Sequence, residues 1–482
     1  MSKLAVLMIT AFVDMVGLLM VIPLLPFFAK DLGGGGLWVG ILVSAFSFAQ
    51  LVSAPLWGRV SDRYGRRPAL LVGLGAAAIS YVVFAYASSL WLLLLSRLVQ
   101  GAGGGTVGVV QAYVADATEP KDRAKSLGWL SAATNAGVAI GPVMGSASLG
   151  FGRATPGLLA AGLCLVNMAF AWMFLTETHV GTARDGSARK PARSREMLRH
   201  VMAHPTEPAP RLIWIYAVGM GAFAGFTSTL ALFLSHHFEV TEQSIGYVFM
   251  WTGVVSVIIR ALLLGRMVDA LGEARLARLG QMLLGAGLFL LPLTWRVGGR
   301  ATVNLPGSGW RGGLDPLALV GGLVGLLLAV VAWGTRKVRG VDRLKLLAFI
   351  AVPGAAAIAA VVRGHPGPLR ISIPAVYPLE FRYVVLVMVI TLMPLGTAFT
   401  FPCVTALLSQ VIDPRERGVM MGVQQSFGGA ARVLAPLWAG WAWDHVNTAA
   451  PFWTSAVLVL GTLFLTFGIQ PTPAPVAAPA AD

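Results

Sequence analysis

Hydrophobic residues occur in long blocks along the chain, separated by short polar loops. Each block holds about 20 residues, the length that a helix needs to cross about 30 Å of hydrocarbon. The pattern therefore predicts an all-α membrane protein with 14 spans. The predicted spans are 4–28, 36–57, 69–88, 90–114, 126–149, 154–176, 212–236, 243–264, 277–295, 316–334, 344–362, 383–408, 418–442 and 449–469.

The distribution of positive charge predicts the orientation of these spans. With a cytoplasmic N-terminus, the inner loops and termini, counted with the first two residues of the adjoining spans, hold 25 of the 36 lysines and arginines, and the outer loops hold 8. Cytoplasmic loops of membrane proteins carry such an excess of Lys and Arg. We therefore expect a multi-pass protein of the bacterial inner (plasma) membrane with both termini in the cytoplasm. Because this topology accounts for the net charge of +15, we expect no nucleic-acid partner.

An internal repeat divides the chain. The segment GRVSDRYG at 58–65 recurs as GRMVDALG at 265–272, which is 207 residues later. The segment EPKDR at 119–123 recurs as DPRER at 413–417, which is 294 residues later. The difference of 87 residues predicts an insertion of two spans and their loops, at about 304–374.

The repeat and the longest polar stretch predict three regions. They are an N-terminal six-helix bundle at 1–178, a cytoplasmic linker at 179–211, and a C-terminal six-helix bundle with the inserted helical hairpin at 212–482. Halves that repeat in this parallel manner are typical of secondary transporters.

Four short motifs carry a resemblance to a known family. The loop GRVSDRYGRRP at 58–68 resembles the signature loop of the major facilitator superfamily. The segments DMVG at 14–17, SRLVQG at 96–101 and GVAIGPVMG at 137–145 are similar to the drug:proton antiporter branch, especially its tetracycline-efflux-like members. The resemblance implies the 6 + 6 helix fold and secondary active transport.

Within this family the resemblance implies proton-coupled antiport, that is efflux, of a small lipophilic or cationic organic compound. Metabolite uptake or facilitated transport by the same fold is the alternative. A non-transporting membrane scaffold or a membrane enzyme is a distant one, because no catalytic grouping is visible. Tetracycline exporters of this branch carry acidic residues in their third and ninth spans, whereas the third and ninth spans of this chain contain no Asp or Glu. We therefore do not expect a magnesium–drug chelate as the substrate.

The resemblance also implies roles for two groups of residues. A gating motif closes the inner face as a charge cluster; it consists of Gly58, Asp62, Arg63, Gly65, Arg66 and Arg67, with Asp116. Apart from the resemblance, Gly58 and Gly65 permit a tight turn and a close helix approach. Asp62 can accept hydrogen bonds from a neighbouring helix N-terminus. An antiporter helix seals the pathway in the fifth span; its residues are Gly137, Gly141, Pro142 and Gly145. The three glycines share one helix face, where a neighbouring helix can pack backbone to backbone. Ordinary tight packing and a simple surface acid at Asp116 are the structural alternatives.

Charged residues within the predicted spans are the candidates for binding the coupled proton. Asp14 lies ten residues into the first span, hence about 15 Å deep. A carboxylate at such depth costs about 2.5–3.5 kcal/mol, so it pairs with a cation or binds a proton. Arg97 enters from the opposite side to a similar depth, and we interpret it as the partner of Asp14. A structural role is the alternative for both residues.

Other polar and aromatic residues of the spans are candidates for a substrate cavity. They are Gln50, Gln111, Asn135, Phe223, Phe226, Trp251, Gln424, Gln425 and Arg432. A mostly apolar cavity with a few amides suits a lipophilic organic molecule. Arg432 could neutralise an anionic substrate or bind helix-end carbonyls, whereas Arg260 lies near the inner edge and can snorkel to the interface.

The remaining expectations concern partners. We expect protons, the small-molecule substrate and membrane lipids as partners, no cofactor, and a monomer or weak dimer. His200 and His204 have the spacing of helical metal ligands, but no acidic partner accompanies them in the sequence, so we expect no metal site.

Overall fold

A computed structural model gives the architecture of the chain. It describes residues 3–118, 123–177, 191–296, 300–304, 311–314, 369–372, 376–413 and 416–466. The chain forms two compact units, Met1–Val6 with Val297–Val384, and Leu7–Arg296 with Val385–Asp482.

Sixteen α-helices account for most of the described residues. They are α1 Lys3–Val21, α2 Leu25–Asp31, α3 Gly36–Tyr64, α4 Arg66–Ala85, α5 Leu90–Gly104, α6 Val107–Ala117, α7 Arg123–Ser148, α8 Thr155–Phe174, α9 Pro191–Ala203, α10 Pro208–Phe238, α11 Ile245–Ile258, α12 Leu264–Leu271, α13 Glu273–Leu290, α14 Phe381–Val411, α15 Arg417–His445 and α16 Ala450–Thr466.

The helices follow the predicted core spans. Nine helical segments of the described chain are long and apolar enough to cross a membrane. Two further helices, α7 and α15, have 26 and 29 residues but are richer in glycine, serine and alanine, and α16 has 17. The two spans predicted at 316–334 and 344–362 lie outside the described residues, so the count of 14 spans stays a prediction.

Several spans are built from two consecutive helical pieces. Pro23 and Pro26 lie where a 3₁₀ turn joins α1 to α2, because proline lacks the N–H of a continuous helix. Glycines break the fourth span between α5 and α6. A π-helical turn at Ile259–Leu263 joins α11 to α12, and such turns are frequent at functional sites.

The repeated motif has the same backbone conformation in both copies. Gly65 ends α3 with φ 104° and ψ 159°, and Gly272 ends α12 with φ 75° and ψ 156°. Positive φ favours glycine, because a side chain would be strained there. In both copies the next helix begins at the following residue, so the glycine makes the sharp turn that the sequence predicts.

The smaller unit adds strands that the sequence interpretation missed. Strand β1 (Arg300–Asn304) pairs antiparallel with β4 (Val376–Glu380), and β2 (Arg311–Leu314) pairs antiparallel with β3 (Leu369–Ser372). The strands are short, and the all-α fold class predicted from the sequence is confirmed by the helices, which make up most of the described residues. Pairing of β1 with β4 brings the two ends of the predicted insertion together, and it satisfies backbone groups that a loop would leave to water.

Glycines bring helices of the two sequence halves close together at two of the described interfaces. Gly40 of α3 lies against the Pro436 carbonyl of α15, and Gly440 of α15 lies against the Gly36 carbonyl of α3. Gly246 and Gly253 of α11 lie against Pro142 and Ala139 of α7. Since a Cβ at any of these glycines would collide with backbone, the residue type allows the close approach.

These contacts are concentrated at one end of the helices. We call the end that carries the 58–68 loop the loop end, and the opposite end, where α3 begins at Gly36, the closed end. In α3, residues 36–51 are buried or half-buried except Phe48, whereas residues 52–64 are mostly exposed. Among the contacts that glycines make between α3 and α15, the one nearest the loop end is between Leu51 and Gly429.

Candidate functional site

The predicted antiporter helix packs on the helix that carries Asp14. A Cβ at Gly137 would lie 2.7 Å from the Phe12 carbonyl oxygen, and a Cβ at Gly141 would lie 2.7 Å from the Val16 carbonyl oxygen. Gly145 packs in the same way against Met20. From one contact to the next, the residue number rises by four on both helices, so α1 and α7 run parallel. The glycine face that the sequence predicts is therefore occupied by α1, with α11 on the other contact face of α7.

Asp14 lies half-buried on α1, between the Phe12 and Val16 contacts with α7. No ion pair or hydrogen bond to its carboxylate is found within the described part of the chain. Gly17 lies one turn further along the same face, and a Cβ there would be 3.4 Å from the Tyr81 hydroxyl. Tyr81 is buried and interacts electrostatically with both Asp14 and Arg97.

Arg97 is almost completely buried on α5, with 1% of its surface exposed. Its guanidinium lies over the Phe46 ring, 4.7 Å from the ring centroid, and donates a hydrogen bond to Gln100 Oε1. The expected direct pairing of Arg97 with Asp14 is therefore not seen. The Phe46 ring and the Gln100 oxygen are the partners of this cation instead, while its Nε is buried without a hydrogen-bond partner among the described residues.

A charge cluster forms at the loop end around Arg66. Its guanidinium nitrogens lie 2.6 Å from Asp62 Oδ1 and 3.2 Å from Asp116 Oδ2, and it also donates to Ser61 Oγ. The side chain of Arg66 is 12% exposed, whereas that of Asp62 is 64% exposed. Arg66 thus links the end of α3 to the end of α6, the two segments that the sequence interpretation assigned to one gate.

Glu177 is a member of this cluster that sequence reasoning missed. Its two carboxylate oxygens each accept a backbone N–H at 3.0 Å, from Arg66 and Arg67. It thereby caps the N-terminus of α4, where a helix dipole favours negative charge. The sequence interpretation gave this capping role to Asp62. A Cβ at Gly65 would lie 2.8 Å from Glu177 Cδ, the end of a flexible side chain that can shift, so the positive φ is the main reason for glycine here.

The other members of the gating motif have smaller contacts. Arg67 donates to the Trp172 carbonyl at 2.6 Å, and Arg63 lies over the Tyr64 ring at 5.3 Å. A Cβ at Gly58 would meet nothing within 4 Å. The close helix approach expected at Gly58 is therefore absent in this conformation.

Replacing Asp62 by asparagine tests the gate role. We expect near-normal folding and substrate affinity but a turnover about tenfold slower, because the change removes one charge of the Arg66 cluster and biases the equilibrium between gate states. The measurement is substrate counterflow in proteoliposomes, with Asp269→Asn in the other copy of the repeat as the matched control. Turnover equal to the wild type in Asp62→Asn would remove this role.

The predicted cavity residues do not converge on one place. Gln50 donates to the Gly104 carbonyl at 3.1 Å and Asn135 to its own helix at Ser131, while Gln111 is exposed. Phe226 is buried beside Phe223, with ring centroids 6.2 Å apart. Trp251 donates to Thr391 Oγ1 at 2.9 Å, which ties α11 to α14. These six residues therefore line several helix contacts of the two halves.

The remaining predicted cavity residues gather around Tyr216 of α10. Gln425 Nε2 lies 3.4 Å from the Tyr216 hydroxyl, and Gln424, fully buried one residue earlier, donates to Thr405 Oγ1 at 3.3 Å. Arg432 and Arg260 both lie near Tyr216. Arg260 is half-buried, and its snorkelling to the interface stays a prediction.

Asp444 joins the two sequence halves at the closed end. Its carboxylate accepts the backbone N–H groups of Gly36 and Leu37, both at 2.8 Å, and so caps α3 from the end of α15. A small cavity of about 270 Å³ adjoins this contact and is lined by Lys30, His236 and Trp443 among others. No local sequence signal links two segments that are 408 residues apart.

The histidine pair of the linker has an acidic neighbour after all. His200 Nε2 lies 2.8 Å from Glu207 Oε2, and single ligand atoms of His200, His204 and Glu207 all lie within 4.8 Å of one another. The turn between α9 and α10 brings the glutamate back to the histidines. The premise that no acid accompanies the pair is therefore wrong, while the expectation of no metal stays a prediction.

Parallel packing of long apolar helices, a repeated glycine-ended loop and charges inside the spans define a polytopic membrane transporter. The sequence profile of the Major Facilitator Superfamily matches residues 7–332, which is more than half of the chain. The chain belongs to this superfamily. The prediction of a multi-pass, non-enzymatic transporter of this superfamily, made from four motifs, is thereby confirmed.

Drug-resistance proteins are among its relatives. Multidrug resistance protein 2 of Bacillus subtilis (strain 168) is 30% identical over 279 residues, which cover 57% of this chain and 68% of that protein. Tetracycline resistance protein, class G, of Vibrio anguillarum is 30% identical over 281 residues, covering 58% and 71%. The resemblance to the drug:proton antiporter branch is confirmed by these two relatives.

Solved transporter structures share the fold. The crystal structure of the human organic anion transporter MFSD10 (TETRAN) has a TM-score of 0.60 at 21% identity, covering 96% of this chain and 99% of that chain. The nucleoside transporter NupG has a TM-score of 0.63 at 12% identity, covering 97% and 98%. At such identities the likeness concerns the fold alone.

Proposed function

We propose that this protein is a proton-coupled antiporter that exports a small lipophilic organic compound. The observation that carries this proposal is the position of Asp14, the one carboxylate predicted deep inside a core span. It lies on α1, the helix on which α7 packs through Gly137, Gly141 and Gly145. Two relatives named for multidrug and tetracycline resistance support export.

In this proposal Asp14 binds the coupling proton. A carboxylate without a partner in an apolar span is costly, and protonation removes that cost. The change in free energy can shift the equilibrium between two conformations, which is what coupling requires. Tyr81, adjacent to Gly17 and in electrostatic range of both Asp14 and Arg97, supports a role for Arg97 in stabilising the charged form.

We further propose that the loop end faces the cytoplasm, as the distribution of Lys and Arg favours. With that orientation, the exposure of residues 52–64 of α3 supports an opening at the cytoplasmic end, and the contacts of Gly36 and Gly40 with α15 support closure at the outer end. Together they support an inward-open state. In the full topology we keep 14 spans, with 6 + 6 core helices at 1–178 and 212–482, a linker at 179–211 and an inserted hairpin at about 304–374.

Asp444 is expected to stabilise the closure of the outer end in this state. In Asp444→Asn the amide keeps one acceptor but loses the charge at the N-terminus of α3, which removes on the order of 1 kcal/mol, or about fivefold in the ratio of the two states. Spin labels at Tyr86 and Val446, both exposed at the closed end, should report a larger population of long distances.

Glu239→Gln is the control for this experiment. Glu239 is exposed at the same end, and within the described residues it makes no hydrogen bond to the N-terminal half. The control should leave the distance distribution unchanged. If Asp444→Asn also leaves it unchanged, the carboxylate does not hold the outer end closed.

The proposed transport is tested with purified protein in liposomes under an imposed pH gradient. A panel of radiolabelled lipophilic compounds is added, and accumulation is expected only when protons can flow in the opposite direction to the substrate. Equilibration of the compound to equal concentrations inside and outside, at a rate that ignores the pH gradient, would support facilitated transport, the alternative that the fold also allows. A scaffold or an enzyme would show no transport at all.

A further inference from the structure

Two arginines in the C-terminal helices have no role in the proton step. Arg260 lies in the π-helical turn after α11, and Arg432 lies on α15. Ile259, the residue before Arg260, belongs to the same buried core cluster as Tyr216 of α10, and Gly428, one turn before Arg432, contacts the Tyr216 ring. The Tyr216 hydroxyl lies 3.4 Å from Gln425 Nε2. Three helices therefore bring two cations, a hydroxyl and an amide to one cluster, which we call the arginine cluster.

Charge is not balanced in this half. The six core spans predicted at 212–469 contain no Asp or Glu. Among the ion pairs of the described residues none includes Arg260 or Arg432, and the Nε of Arg260 is buried without a hydrogen-bond partner. Cations at such depth are costly and are found where they have a functional counter-charge.

The cluster lies where the two halves face each other. On α15, Gly428 contacts Tyr216 of α10 and Gly429 contacts Leu51 of α3, and Arg432 follows one turn later. On α11, Gly246 and Gly253 contact α7, and Arg260 lies seven residues beyond Gly253. Arg432 therefore lies near the boundary with α3. Arg260 lies about two turns beyond Gly253, on the face of α11 that contacts α7.

We propose that Arg260 and Arg432 form a subsite for the anionic group, a carboxylate or sulfonate, of an otherwise apolar substrate. Guanidinium groups match the two oxygens of such an anion with a planar fork of donors. The Tyr216 hydroxyl and the Gln425 amide supply two further donors. The Phe401 ring, 5.5 Å from that of Tyr216 in a T-shaped arrangement, offers apolar surface beside the charge.

This inference rests on the proposed transport function and narrows its substrate class to organic anions, against the cationic compounds that the sequence interpretation allowed. A cation would meet two unpaired arginines here, and like charges repel. The same arginine chemistry could instead hold a lipid phosphate, so the experiment has an arm that separates the two occupants.

The test uses three probes that share one apolar body and differ in charge. Binding of 4-butylbenzoate, 4-butylbenzamide and 4-butylbenzylammonium to the full-length protein is measured by calorimetry in nanodiscs of phosphatidylcholine. We expect the carboxylate to bind about tenfold more tightly than the amide or the ammonium compound. In Arg260→Gln and in Arg432→Gln this preference should fall to nearly zero, while Arg432→Lys should retain part of it.

Arg153→Gln is the matched control, because Arg153 is exposed at the closed end and pairs with Asp31 at 2.7 Å. It should leave the preference unchanged, and thermal melting of each variant shows that it is folded. Tighter binding of the ammonium compound, no saturable binding of the carboxylate, or a preference that survives both glutamine variants would overturn the proposal. So would loss of carboxylate binding when phosphatidylglycerol is added to the nanodiscs, since the occupant would then be a lipid.

The two proposals fail in different ways. If the carboxylate binds as expected but nothing is transported under a pH gradient, the arginine subsite stands and proton-driven export is wrong. If an ammonium compound is exported under a pH gradient and the carboxylate is not bound, export stands and the arginine subsite is wrong.

Discussion

Asp14→Asn is expected to abolish accumulation of substrate driven by a pH gradient while leaving passive exchange. Asparagine keeps the size and polarity of the side chain but cannot bind and release a proton. The variant then lacks the charge change, worth several kcal/mol in hydrocarbon, that would tip the equilibrium between conformations. Accumulation under a pH gradient and counterflow without one are measured in the same proteoliposomes.

Asp31→Asn serves as the control, because Asp31 belongs to the same half but is exposed and paired with Arg153. It should accumulate substrate like the wild type. Accumulation by Asp14→Asn at the wild-type level would show that another group or another ion carries the coupling. Loss of counterflow in a folded variant would instead give Asp14 a role in substrate binding.

Gly141→Leu is expected to have the second-largest effect. The first side-chain atom would already lie 2.7 Å from the Val16 carbonyl oxygen and 2.9 Å from Leu19 Cβ. Since these neighbours belong to a helix backbone and its nearest side-chain atom, α1 must move away from α7. Overpacking of this kind costs about 1–3 kcal/mol, and it displaces the helix that carries Asp14.

We expect a lower melting temperature in detergent and a loss of pH-driven accumulation for Gly141→Leu. Gly162→Leu on α8 is the matched control, because a Cβ at Gly162 has nothing within 4 Å. The control should melt at or above the wild-type temperature, since glycine is a poor helix former. Equal behaviour of the two variants would show that the α1–α7 contact has no special role.

Much of the fold follows from local patterns in the sequence. Block length predicts the helices, and the motif copies at 58–65 and 265–272 predict two turns whose glycines both adopt positive φ. The same motif predicts that Arg66 and Asp116 belong to one end of the molecule. These features depend on residues that are close in sequence or on the two-sided geometry of a membrane span.

Pairings between distant segments could not be predicted in this way. The glycine face of α7 indicates a close neighbour but does not say that the neighbour is α1, and nothing near Asp444 indicates that it caps Gly36. Arg97 is buried, yet its partners are Phe46 and Gln100 rather than Asp14. Such contacts depend on how helices pack in three dimensions, where a rotation of one helix changes every partner.

The central claim, exchange of protons for substrate, is tested most directly by letting substrate flow drive protons. Proteoliposomes are loaded with a transported compound, diluted into buffer of the same pH, and followed with a dye for the luminal pH. Substrate that leaves should bring protons in, so the lumen should become acidic in wild type and stay unchanged in Asp14→Asn and in protein-free liposomes. Outflow of substrate from wild-type vesicles with no change in luminal pH, or with alkalinisation, would contradict proton antiport.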